Sequence, residues 1–431
     1  MKRVAAVLFT AILVLAALPA SPASADSTQI TIATFNASLN REASGQLVDD
    51  LSTPDNQQAR DVAEIIQRTD ADIILINEFD HTDDEAAVDL FREHYLAVSQ
   101  NGAPAIAYPY AWTGPVNTGV PSGFDLNRDG EVGGPDDALG FGFFPGQYGM
   151  VVYSKYPILE DQVRTFQNFL WADMPGALLP TVPGTDEGWY SDEALEVMPL
   201  SSKIHADVPV DVDGTTIHVL AAHPTPPSFD GEEQRNMRRN HDEIRLWADY
   251  VEGNAGYLYD DAGSTGGLDA GAEFVIVGDY NADPHDGDSW PGAIDLLLGS
   301  SRVVDPLPTS AGAVEAAALQ GGANDDHVAD HALDTADFAD DPAPGNLRVD
   351  YVLPSVGALE VADAGVFWPT TDDELFRLTG EFPFPTSDHR LVWVNLLIES
   401  EPEPSPTPTP TPSASPTEHP GAKPGLPDTG N

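Results

Sequence analysis

The apolar residues of this chain fall in short, nearly unbroken runs rich in Val and Ile, and each run meets a polar residue at its end. QITIATFN closes on Asn36, ADIILINE on Glu78, YGMVVYS on Ser154, TTIHVLAAH on His223 and EFVIVGDYN on Asn281; RVDYVLPS surrounds Asp350, and SDHRLVWVNLLI starts at Ser387. Runs of this kind predict strands buried on both faces, because an amphipathic helix would space its apolar positions three and four apart. The polar residues therefore gather at strand ends.

Two segments do show helical spacing. From Asp55 to Thr69, Val62, Ile65 and Ile66 share a face, and from Gly231 to Glu252, Met237, Ile244 and Trp247 are apolar. Asn101 to Gln147, Phe169 to Leu200 and Thr309 to Asn346 read as long loops, and no internal repeat is visible. Strands alternating with helices and then returning as hairpin-like runs favour two packed sheets flanked by helices. The chemistry is expected at one edge of that sandwich.

The ends of the chain break the pattern. Lys2 and Arg3, an apolar run and Ala23-Ser24-Ala25 have the organisation of an export signal removed after residue 25. From Glu401 the composition becomes EPEPSPTPTPTPSASPTEHP, which cannot pack a core and predicts an extended spacer over residues 401–425. Residues 426–431 contain Leu426-Pro427-Asp428-Thr429-Gly430, which resembles the motif that sortases cleave when attaching proteins to peptidoglycan. The apolar segment and basic tail of a complete sorting signal do not follow it. The expectation is a secreted protein, either released or wall-associated, whose mature body has no transmembrane helix.

Charge narrows the field further. Asp and Glu number 70 against 19 Lys and Arg, a formal net charge of −51, which argues against a nucleic-acid groove built from bulk positive charge. The absence of cysteine excludes disulfides, thiolate metal sites and a thiol nucleophile.

Individually, each polar strand end could be a cap or a turn. Together, Asn36, Glu78, His223, Asp279, Asn281, Asp350, Asp388 and His389 supply amides, carboxylates and imidazoles beside apolar strands. That is a hard-oxygen set for Mg²⁺ or Mn²⁺ with acid–base groups, the equipment for attack on a phosphate ester. The metal would supply the positive charge that the chain lacks.

On these residues the chain resembles the endonuclease/exonuclease/phosphatase superfamily, which includes pancreatic-type deoxyribonucleases. The resemblance lies in TFNAS, INEFD, GMVVYSKYPI, AAHPTP, GDYNADP, RVDYVLPS and TSDHRLV, in the family's order over residues 29–398. It implies an α/β (α+β) fold, a four-layered sandwich of two packed, mostly antiparallel sheets flanked by helices. It also implies that Glu78 is the principal metal ligand, with Asn36 completing that shell and Asp388 a further ligand. His223 would bond a phosphate oxygen, and Asn281 would donate its amide to the oxyanion or orient the nucleophile. His389, paired with Asp350, would be the general base on water, with Asp279 the alternative base. Lys203 is the nearest candidate for the family's phosphate-contacting cation. His205, Asp207, His285 and Asp286 are weaker candidates for the same cleft.

A second ion site is suggested by spacing. Asp125, Asn127 and Asp129 occupy positions 1, 3 and 5 of a calcium-type loop, Gly130 the turn, Glu131 the carbonyl position and Asp136 position 12. It is similar to the calcium loop of dockerins, without evident flanking helices. His327 and His331 lie in an acidic run without a third ligand and read as a solvated loop, and the basic RNMRRNHDE stretch as a salt-bridged helix face. The leading reading is a secreted, divalent-metal-dependent phosphoesterase acting on phosphodiesters or phosphomonoesters. The alternatives are an extracellular nuclease acting on DNA or RNA, and a calcium-stabilised surface-binding module without catalysis. The substrate would be a small molecule, a lipid head group or a nucleic acid, with sortase and peptidoglycan as further partners.

Overall fold

Each of the seven apolar runs forms a strand in the computed structural model, which describes residues 27–399. The export segment, the Pro/Thr spacer and the LPDTG motif lie outside the described residues. In chain order the strands are β1 (Ser27–Leu39), β2 (Ile73–Phe79), β3 (Tyr110–Thr113), β4 (Met150–Ser154), β5 (Arg164–Thr165), β6 (Ala206–Val212), β7 (Thr215–Ala222), β8 (Glu273–Asp279), β9 (Asp350–Pro354), β10 (Leu359–Val366) and β11 (Val392–Glu399). They build a six-stranded sheet in the order β10-β11-β1-β2-β4-β3 and a five-stranded sheet in the order β5-β6-β7-β8-β9. Only β1/β2 and β7/β8 pair in parallel, and every other pairing is antiparallel.

The unbroken apolar runs follow from burial on both faces. Along β2, Ile73 and Leu75 enter the core between the sheets with Val208, Val219, Val275 and Val352. Ile74 and Ile76 point the other way, onto Val62, Ile65 and Ile66 of the Gln57–Thr69 helix. On the second sheet, Leu220, Phe274 and Ile276 meet Ile244, Trp247 and Val251 of the Arg235–Glu252 helix. The layers are thus helix, sheet, sheet, helix. The first of these helices begins where Asn56 Oδ1 accepts the Ala59 N–H at 3.0 Å, satisfying an end donor that the helix cannot bond itself.

Four sequence readings need correction. Asn101 to Gln147 contains β3, and Phe169 to Leu200 contains the short helix Asp192–Leu195, so neither is all loop. The segment Thr309 to Asn346 is not all loop, because Ala311–Gln320 is a helix capped by Ser310. Nor is the basic stretch a simple salt-bridged face. Arg239 is buried and donates to the Leu200, Leu139 and Pro199 carbonyls at 2.8–2.9 Å, while Arg238 lies over Trp290. No helix among the described residues is long and apolar enough to cross a membrane.

Candidate active site

The parallel pairings align the C-terminal ends of β1, β2, β7 and β8 at one edge, and the antiparallel β9 and β11 begin there. That edge collects Asn36, Glu78, His223, Asp279 and Asp350, with His389 in the segment leading into β11. Glu78 and Asn281 both adopt left-handed backbone conformations, with φ of 58° and 51°. Such conformations are costly for residues with a side chain, and here each turns a side chain at a strand end.

Asp279 is the hub. Its Oδ2 accepts the Asn36 amide at 3.1 Å and lies 3.3 Å from His223 Nε2 and 3.6 Å from His389 Nε2. Its Oδ1 accepts the Asn281 N–H at 2.9 Å. The Asn281 side-chain amide donates to the Pro224 carbonyl at 3.2 Å. On the far side of the imidazole, His389 Nδ1 meets Asp350 Oδ2 at 2.9 Å, and Thr335 Oγ1 donates to the same oxygen at 2.8 Å. Gln58 holds the turn before His389 against β1, donating to the Ser38 and Thr386 carbonyls at 2.9 Å each.

Burial and charge push the two histidines apart. Burial works against a charged His389, but the adjoining Asp350 and Asp279 carboxylates outweigh it and raise the ring well above the usual histidine range. Burial, with Lys203 and His389 nearby, holds His223 well below that range. Burial also lifts Asp279, to about 6, against the favourable charge of His389. Opposed environments of this kind separate proton donor from proton acceptor.

The metal question turns on Glu78. Its carboxyl accepts the Asn40 amide at 2.7 Å and is raised by burial, with Asp388 and Asp279 adding like charge. Crowded carboxylates beside the Asn36 amide are a hard-oxygen donor set that suits a small divalent cation. Asp350 also keeps one carboxylate oxygen, Oδ1, buried without a protein partner. Among the described residues, the one cluster of three acidic or imidazole groups close enough to share an ion is Asp279, Asp350 and His389, which could hold a metal. His389 is already bonded to Asp350 at 2.9 Å and faces Asp279 at 3.6 Å, so the acid–base reading suits these three better, and Glu78, Asn36 and Asp388 better suit the ion.

The remaining candidates are distributed as follows. Lys203 is buried, its ammonium 3.5 Å from the Pro224 carbonyl, and it lines a cavity of about 520 Å³ together with Glu78 and His223. His205 is bonded to Ser201 and to the Glu243 carbonyl, Asp207 to Tyr250 and His218, and Asp286 accepts the Val328 and Ala329 N–H groups. Those three serve the scaffold. The His285 N–H is bonded to Asp283. His327 and His331 lie in the 3₁₀ region after the Ala311–Gln320 helix, bonded to the Pro344 carbonyl and to Asp334 and the Asn324 carbonyl.

In the 125–136 loop, Asp125 accepts the Asp129 and Gly130 N–H groups, Asn127 that of Asp129, and Asp129 that of Glu131. Asp136 instead faces Arg235 at 3.6 Å. Its neighbour Asp137 is the buried acid, accepting the Leu126 and Gly133 N–H groups. Sequence reasoning missed Asn40, Thr335 and Gln58. Asn40 had no signal, because a bulge between Asn36 and Leu39 breaks the alternation that would have grouped it with Asn36. Thr335 and Gln58 had none, because Asp350 is 15 residues from Thr335, and Ser38 and Thr386 are 20 and 328 residues from Gln58.

A family model described as "Endonuclease/Exonuclease/phosphatase family" matches residues 33–389. No curated protein sequence matches the chain. Similar solved structures include an endonuclease/exonuclease/phosphatase from Beutenbergia cavernae DSM 12333, at 17% identity over 87% of this chain and 73% of that one, with a TM-score of 0.43. A family protein from Bacteroides thetaiotaomicron shares 16% identity over 87% and 97%, with a TM-score of 0.43. Sphingomyelinase C from Streptomyces griseocarneus shares 17% over 85% and 99%, with a TM-score of 0.41.

Proposed function

The chain belongs to the endonuclease/exonuclease/phosphatase family, and from that premise we propose that it is a secreted, divalent-metal-dependent phosphoesterase that directs water onto a phosphodiester or phosphomonoester. One observation carries the reading: a single buried carboxylate, Asp279, stands among the donors Asn36, His223 and His389, with His389 braced from behind by Asp350. A cation held by Glu78, Asn36 and Asp388 would polarise the phosphate oxygens.

The chain's own residues do the rest. Asp279 orients the attacking water and takes its proton, displacing one of its present donors, while the ester P–O bond opposite the water breaks and the departing oxygen is protonated from solvent. His389, kept cationic by Asp350, faces the negative charge carried by the phosphate oxygens as the water adds. The alternative, in which His389 takes the proton, requires it to lose its own proton between two carboxylates, and the geometry favours that less. His223 and the ammonium of Lys203 support phosphate oxygens from the second sheet. The family's nuclease activity is the second reading, and the −51 charge weighs against a long polyanion.

The test is hydrolysis by residues 26–400 of plasmid DNA, bis(p-nitrophenyl) phosphate, p-nitrophenyl phosphate and phospholipids with Mg²⁺, Mn²⁺ or Ca²⁺, beside Asp279→Ala and His389→Ala. Activity on one class that vanishes in both variants supports the reading. Silence on every class would favour the non-catalytic binding module.

A further inference from the structure

The cavity beside Glu78 and His223 has a composition that the rest of this chain does not share. Its walls include four aromatic side chains, Phe141, Tyr148, Tyr190 and Phe229. They also include three of the chain's 19 basic residues, Lys203, Arg235 and Arg239. In a molecule where acids outnumber bases so heavily, three cations on one cavity are not a sampling of the surface.

Their partners are weak or neutral. Arg239 is 7% exposed, and its bonds go from Nε and Nη2 to three backbone carbonyls, none to a carboxylate. Glu243, one turn along the helix, is occupied by the Ser202 and Thr225 N–H groups at 2.6 Å each. Arg235, on the same helix face four residues before Arg239, reaches Asp136 at 3.6 Å, Glu233 at 3.7 Å and the Leu126 carbonyl at 3.4 Å, and its Nε is buried without a hydrogen-bond partner. All three contacts are longer than a charge-assisted hydrogen bond. A cation held this loosely beside a buried one favours an anionic group arriving in the cavity.

We infer that this cavity receives the organic part of the substrate, and that this part is compact, planar or apolar, and carries a second anionic group bound by Arg235 and Arg239. This rests on the phosphoesterase reading and names its substrate class. The volume of about 520 Å³ suits one group of roughly nucleoside size and falls within the range of small-molecule pockets. The reacting phosphate lies toward Glu78, His223 and Lys203. The second anion lies toward the helix start, where the Leu126–Ala138 segment supplies the facing wall. A carboxylate, a sulfate or another phosphate shares the needed chemistry.

The experiment compares pairs of aryl phosphate esters that differ only by a distal carboxylate or phosphate, in the wild-type chain and in Arg235→Gln and Arg239→Lys. The wild type is expected to favour the anion-bearing ester by about tenfold or more in kcat/KM. Arg235→Gln should bring that ratio within about threefold of unity, the loss expected when a charge-assisted bond disappears. Circular dichroism confirms that both variants are folded, and Arg239→Lys retains the charge should the carbonyl bonds of Arg239 prove necessary for folding. A second readout is calorimetric binding of the matching non-hydrolysable aryl phosphonates, which needs no turnover. If no ester is hydrolysed but the distal anion still tightens binding only in the wild type, the phosphoesterase reading fails and the cavity assignment stands. If esters are hydrolysed with no preference, if Arg235→Gln keeps the full preference, or if an oligonucleotide outcompetes the small anionic ester, the inference is overturned.

Discussion

His205 offers a quantitative test because its ring is enclosed as a neutral group. It is 1% exposed, with Nδ1 2.7 Å from Ser201 Oγ and Nε2 2.9 Å from the Glu243 carbonyl. A carbonyl can only accept, so Nε2 carries the hydrogen and Nδ1 accepts from the serine. Burial lowers the ring to about 4 from its ordinary 6.5, with Glu243 only partly opposing the shift. The unfolded chain therefore binds a proton that the folded chain refuses. This contribution is fully present above the unfolded value and is lost as pH falls toward the folded one. Integrating between about pH 7.5 and about pH 5 gives a loss of about 2 kcal/mol. His205→Gln removes the titration at a constant packing cost. In urea unfolding across that range, the wild type's stability relative to the variant should fall by about 2 kcal/mol, while the carboxylates common to both cancel. A gap that stays constant within about 0.5 kcal/mol would refute the neutral, buried ring.

Four further outcomes follow. Asp350→Asn should lower kcat on the order of a thousandfold with little change in KM, since it leaves the geometry but removes the charge behind His389; steady-state kinetics checks it. Mg²⁺ or Mn²⁺ should raise the melting temperature of the wild type with rising concentration, and Glu78→Gln should abolish that response in calorimetry. Gln58→Ala should cost about 1–3 kcal/mol by chemical denaturation, because it strips buried carbonyls at β1 and before His389 of their donor. Gly278→Ala should prevent normal folding, judged by yield and circular dichroism. Its φ is +148°, and a Cβ there would stand 2.0 Å from the Ala222 carbonyl oxygen.

What the sequence made legible was whatever burial on two faces forces into a continuous apolar run, namely β1, β2, β4, β7, β8, β9, β11 and the polar residues at their ends. The other strands are hidden for local reasons. β6 reads ADVPVDV, with a proline and with Asp207 serving Tyr250 and His218 inside the fold. β10 is half exposed, and β3 and β5 have four and two residues. The Ala311–Gln320 helix was obscured because half of it is alanine and it buries only Gly312, Ala313 and Ala317, so no apolar face stands out. At the site, the chemistry-bearing residues were visible and their supports were not. Thr335 sits in an acidic run, and Arg239 looks like a surface base until carbonyls of Leu139, Pro199 and Leu200 close around it.

Asn36, Glu78 and His389 hang from the six-stranded sheet, while His223, Asp279 and Asp350 hang from the five-stranded one. The 3.1 Å bond from Asn36 to Asp279 therefore acts as a gauge of the alignment between two independently hydrogen-bonded bodies. A slip of one residue along a strand is about 3.3 Å, enough to part every pairing that crosses the gap. No half of the molecule can be partly active. Recovery of turnover on refolding would therefore report the docking of sheet on sheet.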